Sequence, residues 1–195
     1  MQILGLYGSP RRAGNTDLMM DAFLEGAASS GGTAERVYVR DLNVEGCLGC
    51  GHCDARGVCI QKDDMQSLYP LLETVPRLVV ASPIYFYGVT GQLKLLIDRS
   101  QASFMKQKLT EKDGAASSAD AGGPKRSGFL LAAGATRGKR LFECATLTMY
   151  YFFEALDVAY GGDLLFREVD EKGAIRDVPK ALQDCFEAGR DFMRD

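Results

Sequence analysis

The sequence predicts an open, doubly wound parallel α/β sheet, and three observations lead there. Five short apolar runs alternate with about five helical patterns, as when each strand returns to the sheet through a helical crossover. One of these runs, Leu78-Val79-Val80-Ala81, has no polar alternation, as a central strand buried on both faces requires. The segments after the first, third and fourth runs carry small, hydroxylic or aromatic residues at the carboxyl ends of strands, where such sheets bind ligands.

The elements follow in order. Gln2–Tyr7 reads as the first strand, and the loop Gly8-Ser9-Pro10 leads into a helix from Asn15 to about Ala28, with Leu18, Met19, Ala22, Phe23 and Ala27 as its apolar face. Gly31-Gly32 stops that helix, and Glu35–Val39 supplies the second strand. A cysteine-rich loop fills about 41–62. Asp63-Asp64 suits a helix N-terminus, and Met65–Thr74 continues helically until Val75-Pro76. The third strand ends at Ser82-Pro83-Ile84-Tyr85. A helix from Gly88 to about Ser103 follows, with Leu93, Leu96 and Ile97 apolar and Lys94, Asp98 and Arg99 available for polar contacts. Residues 106–126, rich in Gly, Ala and Ser, are expected to form a mobile insertion. Ser127–Ala133 is the fourth strand, Leu141–Leu156 a helix with the aromatic block Tyr150-Tyr151-Phe152-Phe153, Val158–Phe166 the fifth strand and Pro179–Met193 the last helix.

At 195 residues this is one expected domain, 1–195, with a substantial core. The net charge of −3 offers no footprint for nucleic acid or an anionic membrane, and neither is expected as a partner. No apolar run approaches the roughly 20 residues that span a bilayer, and the N-terminus does not read as a signal peptide, so a cytoplasmic location is expected. In a reducing compartment clustered cysteines indicate metal or redox work rather than disulfides. Cys144 and Cys185 stand apart in helical patterns and are expected to be buried, inert thiols.

Cys47, Cys50, Cys53 and Cys59 fall within thirteen residues. Three thiols at two-residue spacing with a fourth close behind suit a [4Fe–4S] centre, which needs four thiolates converging on one compact object. A structural zinc site, a reactive thiol group and a cysteine loop without metal stay open as alternatives, although zinc more often takes two separated CxxC pairs. His52, the only histidine, is read as a surface residue of this loop.

The loop after the first strand, Gly8-Ser9-Pro10-Arg11-Arg12-Ala13-Gly14-Asn15-Thr16, reads as an anion site at a helix N-terminus. Ser9, Asn15 and Thr16 offer hydrogen bonds to phosphate oxygens. The loop has neither the GxxxxGK[ST] lysine of a triphosphate site nor the GxGxxG of a dinucleotide site, so a monophosphate fits best. Pro83, Ile84, Tyr85, Phe86, Tyr87 and Gly88 would offer a flat ring system aromatic faces and backbone amides.

Gly8-Ser9-Pro10-Arg11…Gly14-Asn15-Thr16, Ser82-Pro83-Ile84-Tyr85 and Gly91-Gln92-Leu93-Lys94…Asp98-Arg99 resemble the NADPH-dependent FMN reductases of the flavodoxin-like superfamily. Together with the four cysteines and Asp63-Asp64-Met65, their order and spacing are similar to those of the iron-sulfur flavoproteins. The resemblance implies a five-stranded flavodoxin-like sheet of order 2-1-3-4-5 with helices on both faces. It implies FMN, its phosphate held by Ser9, Arg11, Asn15 and Thr16 with Pro10 shaping the turn, and its ring against residues 83–88. Gly134, Thr136 and Arg137 would approach the ring from the third loop, where Ala133 and Ala135 depart from the hydroxyl-rich pattern of relatives. Arg137 would face the flavin or help admit NAD(P)H, or simply be solvated. The resemblance further implies a [4Fe–4S] cluster on Cys47, Cys50, Cys53 and Cys59. The implied function is FMN-dependent oxidoreduction, with NAD(P)H or a ferredoxin-like carrier on one side and an unassigned acceptor on the other. A homo-oligomer, dimer or tetramer, is expected, with part of the aromatic block against a second subunit. A cluster-free FMN or quinone reductase and a non-catalytic thiol or metal sensor on the same fold are the competing readings.

Overall fold

Leu78, Val79 and Val80 are completely buried in strand β3 (Arg77–Pro83), which pairs in parallel with β1 (Gln2–Tyr7) on one side and β4 (Ser127–Gly134) on the other. The structure is a computed structural model that describes residues 1–112 and 125–194. β2 (Thr33–Tyr38) and β5 (Ala159–Arg167) complete a five-stranded parallel sheet of order β2-β1-β3-β4-β5. This is the flavodoxin-like order that the sequence implied.

Period-two alternation divides the apolar residues between two cores. Leu4, Leu6, Leu78 and Val80 face α3 (Met65–Thr74), α4 (Gly91–Arg99) and α6 (Glu143–Glu154). Ile3, Tyr7, Val79 and Ala81 face α1 (Asn15–Ser29) and α7 (Ala181–Phe192). Helices α1 and α7 are in backbone contact at two glycines. A Cβ on Gly26 would stand 1.9 Å from the Phe186 carbonyl oxygen, and one on Gly189 would stand 1.9 Å from that of Phe23.

Several expectations are corrected. The single helix expected over 88–103 is two, α4 and α5 (Gln101–Lys112), because Thr90 caps the first and Ser100 separates them. Thr90 Oγ1 accepts a hydrogen bond from Leu93 N–H at 3.3 Å, and Ser100 Oγ turns back onto the Leu96 carbonyl at 3.2 Å. Of the expected insertion at 106–126, residues 106–112 extend α5 and 113–124 lie outside the described residues. Arg126, also within that expected insertion, is anchored on the carbonyls of Val75, Leu156 and Leu72. The cysteine-rich loop contains a short helix, α2 (His52–Arg56). Cys185 is buried as expected, but Cys144 is exposed, because α6 turns its first-turn Cys144 outward while Ala145 enters the core. In the aromatic block Phe152 and Phe153 are buried and Tyr150 and Tyr151 are exposed. Among the described residues no helix is long and apolar enough to cross a membrane.

Candidate functional site

The first loop is fixed before any ligand is considered. Gly8 N–H donates to the Ala81 carbonyl at 2.8 Å, and Thr90 Oγ1 donates to the Gly8 carbonyl at 2.6 Å, so the loops after β1 and β3 are tied together. A Cβ on Gly8 would stand 2.8 Å from that Ala81 oxygen, which is why glycine occupies the position. Beyond it, buried Ser9 accepts a hydrogen bond at Oγ from Arg11 N–H at 3.1 Å. Asp17 accepts from Ala13 N–H at 2.9 Å and pairs with Arg40 at 3.0 Å, and Arg40 in turn donates to the Ser9 carbonyl at 3.0 Å. Burial pushes the Asp17 carboxyl up from the usual carboxylate range, against the opposing pull of Arg40. This buried pair braces the loop from behind.

Helix α1 begins at Gly14 without a side-chain cap, so its first N–H groups are free of the usual internal acceptor. They border a depression of about 80 Å³ lined by Ser9, Arg11, Gly14, Asn15 and Thr16. Pro83, Ile84, Tyr85, Ala133, Gly134 and Ala135 complete it from the loops after β3 and β4. An uncapped helix N-terminus beside an arginine is a site for an anion. Asn15 is only partly available to it. Its Oδ1 accepts from Gly173 and Ile175 N–H at 2.9 and 3.2 Å, and its Nδ2 donates to the Glu171 carbonyl at 2.8 Å.

Val169, Asp170 and Lys172 also line the depression, from the loop after β5 that sequence reasoning left out. The sequence offers only a charged turn there, Asp170-Glu171-Lys172-Gly173, just past the last strand, and in the structure Gly173 takes φ +89°. Conversely, Pro10, Phe86, Tyr87, Gly88, Thr136 and Arg137 do not line the depression. Arg137 pairs on the surface with Glu168 at 2.6 Å.

Residues Tyr85 to Gly88 form a tight turn in which Tyr85 and Gly88 exchange both backbone hydrogen bonds at 2.9 Å. Phe86 and Tyr87 occupy its centre at φ +48° and +65°. Glycine and asparagine are the usual occupants of such positions; an aromatic residue there costs about 1–3 kcal/mol. Phe86 is fully exposed.

The second site lies beyond β2. Gly49, Gly51 and Gly57, at φ +60°, +72° and +65°, allow the chain to turn tightly enough for Cys47, Cys50, Cys53 and Cys59 to line one cavity of about 260 Å³. His52, which is half-buried, shares its wall with Arg99, Gln101 and Ala102. Among the described residues no three metal-binding side chains are already drawn onto one point. The donor chemistry nonetheless fits a metal-sulfur group, with four thiols around a single cavity and one of them disposed toward its thiolate. Burial alone would push the Cys59 thiol up, but Gln61 N–H, the Arg99 guanidinium and the Tyr69 hydroxyl together hold it below its ordinary value. Burial and the Asp54 carboxylate push Cys53 the other way.

The neck of this loop is closed by carboxylates. Asp63 Oδ2 accepts from Glu45 N–H at 2.9 Å, and Asp64 Oδ2 accepts from Asn43 N–H at 2.7 Å. Arg99 grips Asp63 with both terminal nitrogens, at 2.6 and 3.1 Å.

Residues 1–138, which span all three predicted ligand loops and the cysteine loop, match the family described as NADPH-dependent FMN reductase. The chain belongs to that family. Within it the similar curated proteins include an iron-sulfur flavoprotein of Archaeoglobus fulgidus, 42% identical over 99 residues that cover 51% of this chain and 45% of the relative. Another is the iron-sulfur flavoprotein MJ1083 of Methanocaldococcus jannaschii, 34% identical over 116 residues and 60% of each chain. The chain thus spans about half the length of the curated relatives it matches. Among solved structures, a flavone reductase superimposes with a TM-score of 0.70 at 17% identity over 100% of this chain and 62% of the other. An NAD(P)H:quinone oxidoreductase from Methanothermobacter marburgensis gives 0.69 at 14% identity over 98% and 96%. At these identities the superpositions establish that this member of the FMN reductase family has a flavodoxin-like fold.

Proposed function

We propose that the protein is an FMN-dependent oxidoreductase of the iron-sulfur flavoprotein type. The carrying observation is that a phosphate-type depression and a four-thiol cavity follow strands of one parallel sheet, at its carboxyl edge. The family membership and the relatives named iron-sulfur flavoproteins support the same reading.

In this reading Ser9, Arg11, Thr16 and the free N–H groups of α1 hold the FMN phosphate, with Lys172 as a second cation and Pro10 shaping the turn. The Asp17–Arg40 pair and the Thr90 hydroxyl keep the loop in shape without touching the ligand. The turn at 85–88 and the backbone of Gly134 to Arg137 border the ring. Cys47, Cys50, Cys53 and Cys59 hold a [4Fe–4S] cluster, which carries electrons singly, whereas a flavin accepts them singly or as a hydride. The pairing suits passage between NAD(P)H or a ferredoxin-like carrier and a further acceptor. Exposed Leu48, Val58 and Ile60 on the cysteine loop, and Leu147, Tyr150 and Tyr151 on α6, support a homo-oligomer that covers them.

Flavin titration of the purified protein tests the first site. Arg11→Ala should weaken FMN binding by about 1.5–3 kcal/mol through loss of a charge-assisted contact. Unchanged affinity would remove Arg11 from the site.

A further inference from the structure

Arg99 is the largest fully buried side chain of the described residues. A buried guanidinium is costly unless its charge and its N–H groups are matched. Two of its three nitrogens are. Nη1 donates to Asp63 Oδ2 at 2.6 Å and to the Glu45 carbonyl at 2.9 Å, and Nη2 donates to Asp63 Oδ1 at 3.1 Å. These bonds join the entry and exit of the cysteine loop, a structural duty that explains the terminal nitrogens. They leave Nε unexplained, because it is buried, has no hydrogen-bond partner, and belongs to a side chain that lines the four-cysteine cavity. Tyr69 Oη donates to the Arg99 carbonyl at 2.9 Å and fixes the residue's backbone. A buried donor without an acceptor, on the wall of a cavity ringed by sulfur, is matched by an anionic sulfur acceptor.

We propose that Arg99 is the residue that tunes the redox potential of the cysteine site, with its Nε–H directed at sulfur and its terminal nitrogens on the loop's neck. The inference rests on the cluster assigned under the proposed function. Net charge and hydrogen bonds to sulfur are among the chief determinants of iron-sulfur potentials. One-electron reduction adds a negative charge to the cluster, and a fixed positive charge in a region of low dielectric stabilises that reduced form. Arg99 therefore makes the cluster easier to reduce. Asp63, on the opposite side of the guanidinium, orients the fork and offsets part of its desolvation.

The test uses the full chain, reconstituted anaerobically with iron and sulfide and titrated with dithionite while the cluster is followed by electron paramagnetic resonance. Asp63→Asn combined with Arg99→Gln removes both charges without leaving either buried alone, and Arg99→Lys keeps the charge but loses the planar fork. The double variant should retain iron and FMN, yet its reduced-to-oxidised ratio at fixed potential should fall at least tenfold, about 59 mV for one electron. Arg99→Lys keeps a charge but loses the Nε–H donor, so its ratio should also fall, by threefold or more. A double variant that holds iron and titrates with the unmodified protein overturns the proposal, as does an Arg99→Lys variant that does so. If the double variant fails to fold, Arg99→Lys decides alone: a fall of threefold or more supports the proposal, and a titration that matches the unmodified protein overturns it. Failure of the unmodified protein to take up iron and sulfide would overturn the cluster assignment itself, which is distinct from a shifted potential.

Discussion

Asn15 spends its side-chain amide on three backbone groups of the loop after β5, so it works as a clasp between α1 and residues 171–175. Asn15→Ala should leave two backbone N–H groups without their acceptor and lower stability by about 2 kcal/mol, measurable by urea denaturation. It should also loosen the wall that carries Lys172, so FMN affinity should fall with stability rather than independently of it. A variant as stable as the unmodified protein would contradict this role. The local motif announced Asn15 as a phosphate donor, because a Gly-Asn-Thr run at a helix start reads that way on its own. The backbone partners that its side chain takes lie 156 to 160 residues away in sequence, and no local pattern points to them. Ser9, Arg11 and Thr16 line the depression together with Asn15, since their places follow from the strand-to-helix turn alone.

The cysteine loop, which supplies most of the cavity wall, rests on α5. Gly57, at φ +65°, sits where a Cβ would come within 2.8 Å of the Lys106 Cα, so the end of α2 rests on the backbone of α5. Gly57→Ala combines that clash with an unfavourable backbone conformation. It should reduce iron uptake several-fold while FMN content per chain stays unchanged, as a paired iron and flavin assay would record. Equal loss of both would mean that the two sites do not fold as separate supports. The strands were legible from sequence because burial on both faces leaves long unbroken apolar runs such as 78–81. The division between α4 and α5 was not, because no glycine or proline marks it. It is made by a serine hydroxyl bonding back to the carbonyl four residues earlier, a choice that composition does not announce. That missed division also hid the support that Lys106 gives to the cysteine loop.

Across the whole molecule, the strand order β2-β1-β3-β4-β5 brings the loops after all five strands to one edge of the sheet. The depression draws on the loops after β1, β3, β4 and β5, and the thiol cavity on the loop after β2. This much followed from parallel topology and was legible in the alternation of elements. The contribution of Val169, Asp170 and Lys172 was not, because the chain beyond residue 138 carries topology but few motifs. The central claim is that the two sites hold a flavin and an iron-sulfur cluster in the same chain. The most direct measurement is anaerobic purification followed by an absorbance spectrum with flavin, iron and acid-labile sulfide assays. The expected result is one FMN with about four irons and four sulfides per chain, with the metal lost and the flavin kept in Cys50→Ser. Flavin without iron in the unmodified protein, or full iron content in Cys50→Ser, would contradict the account.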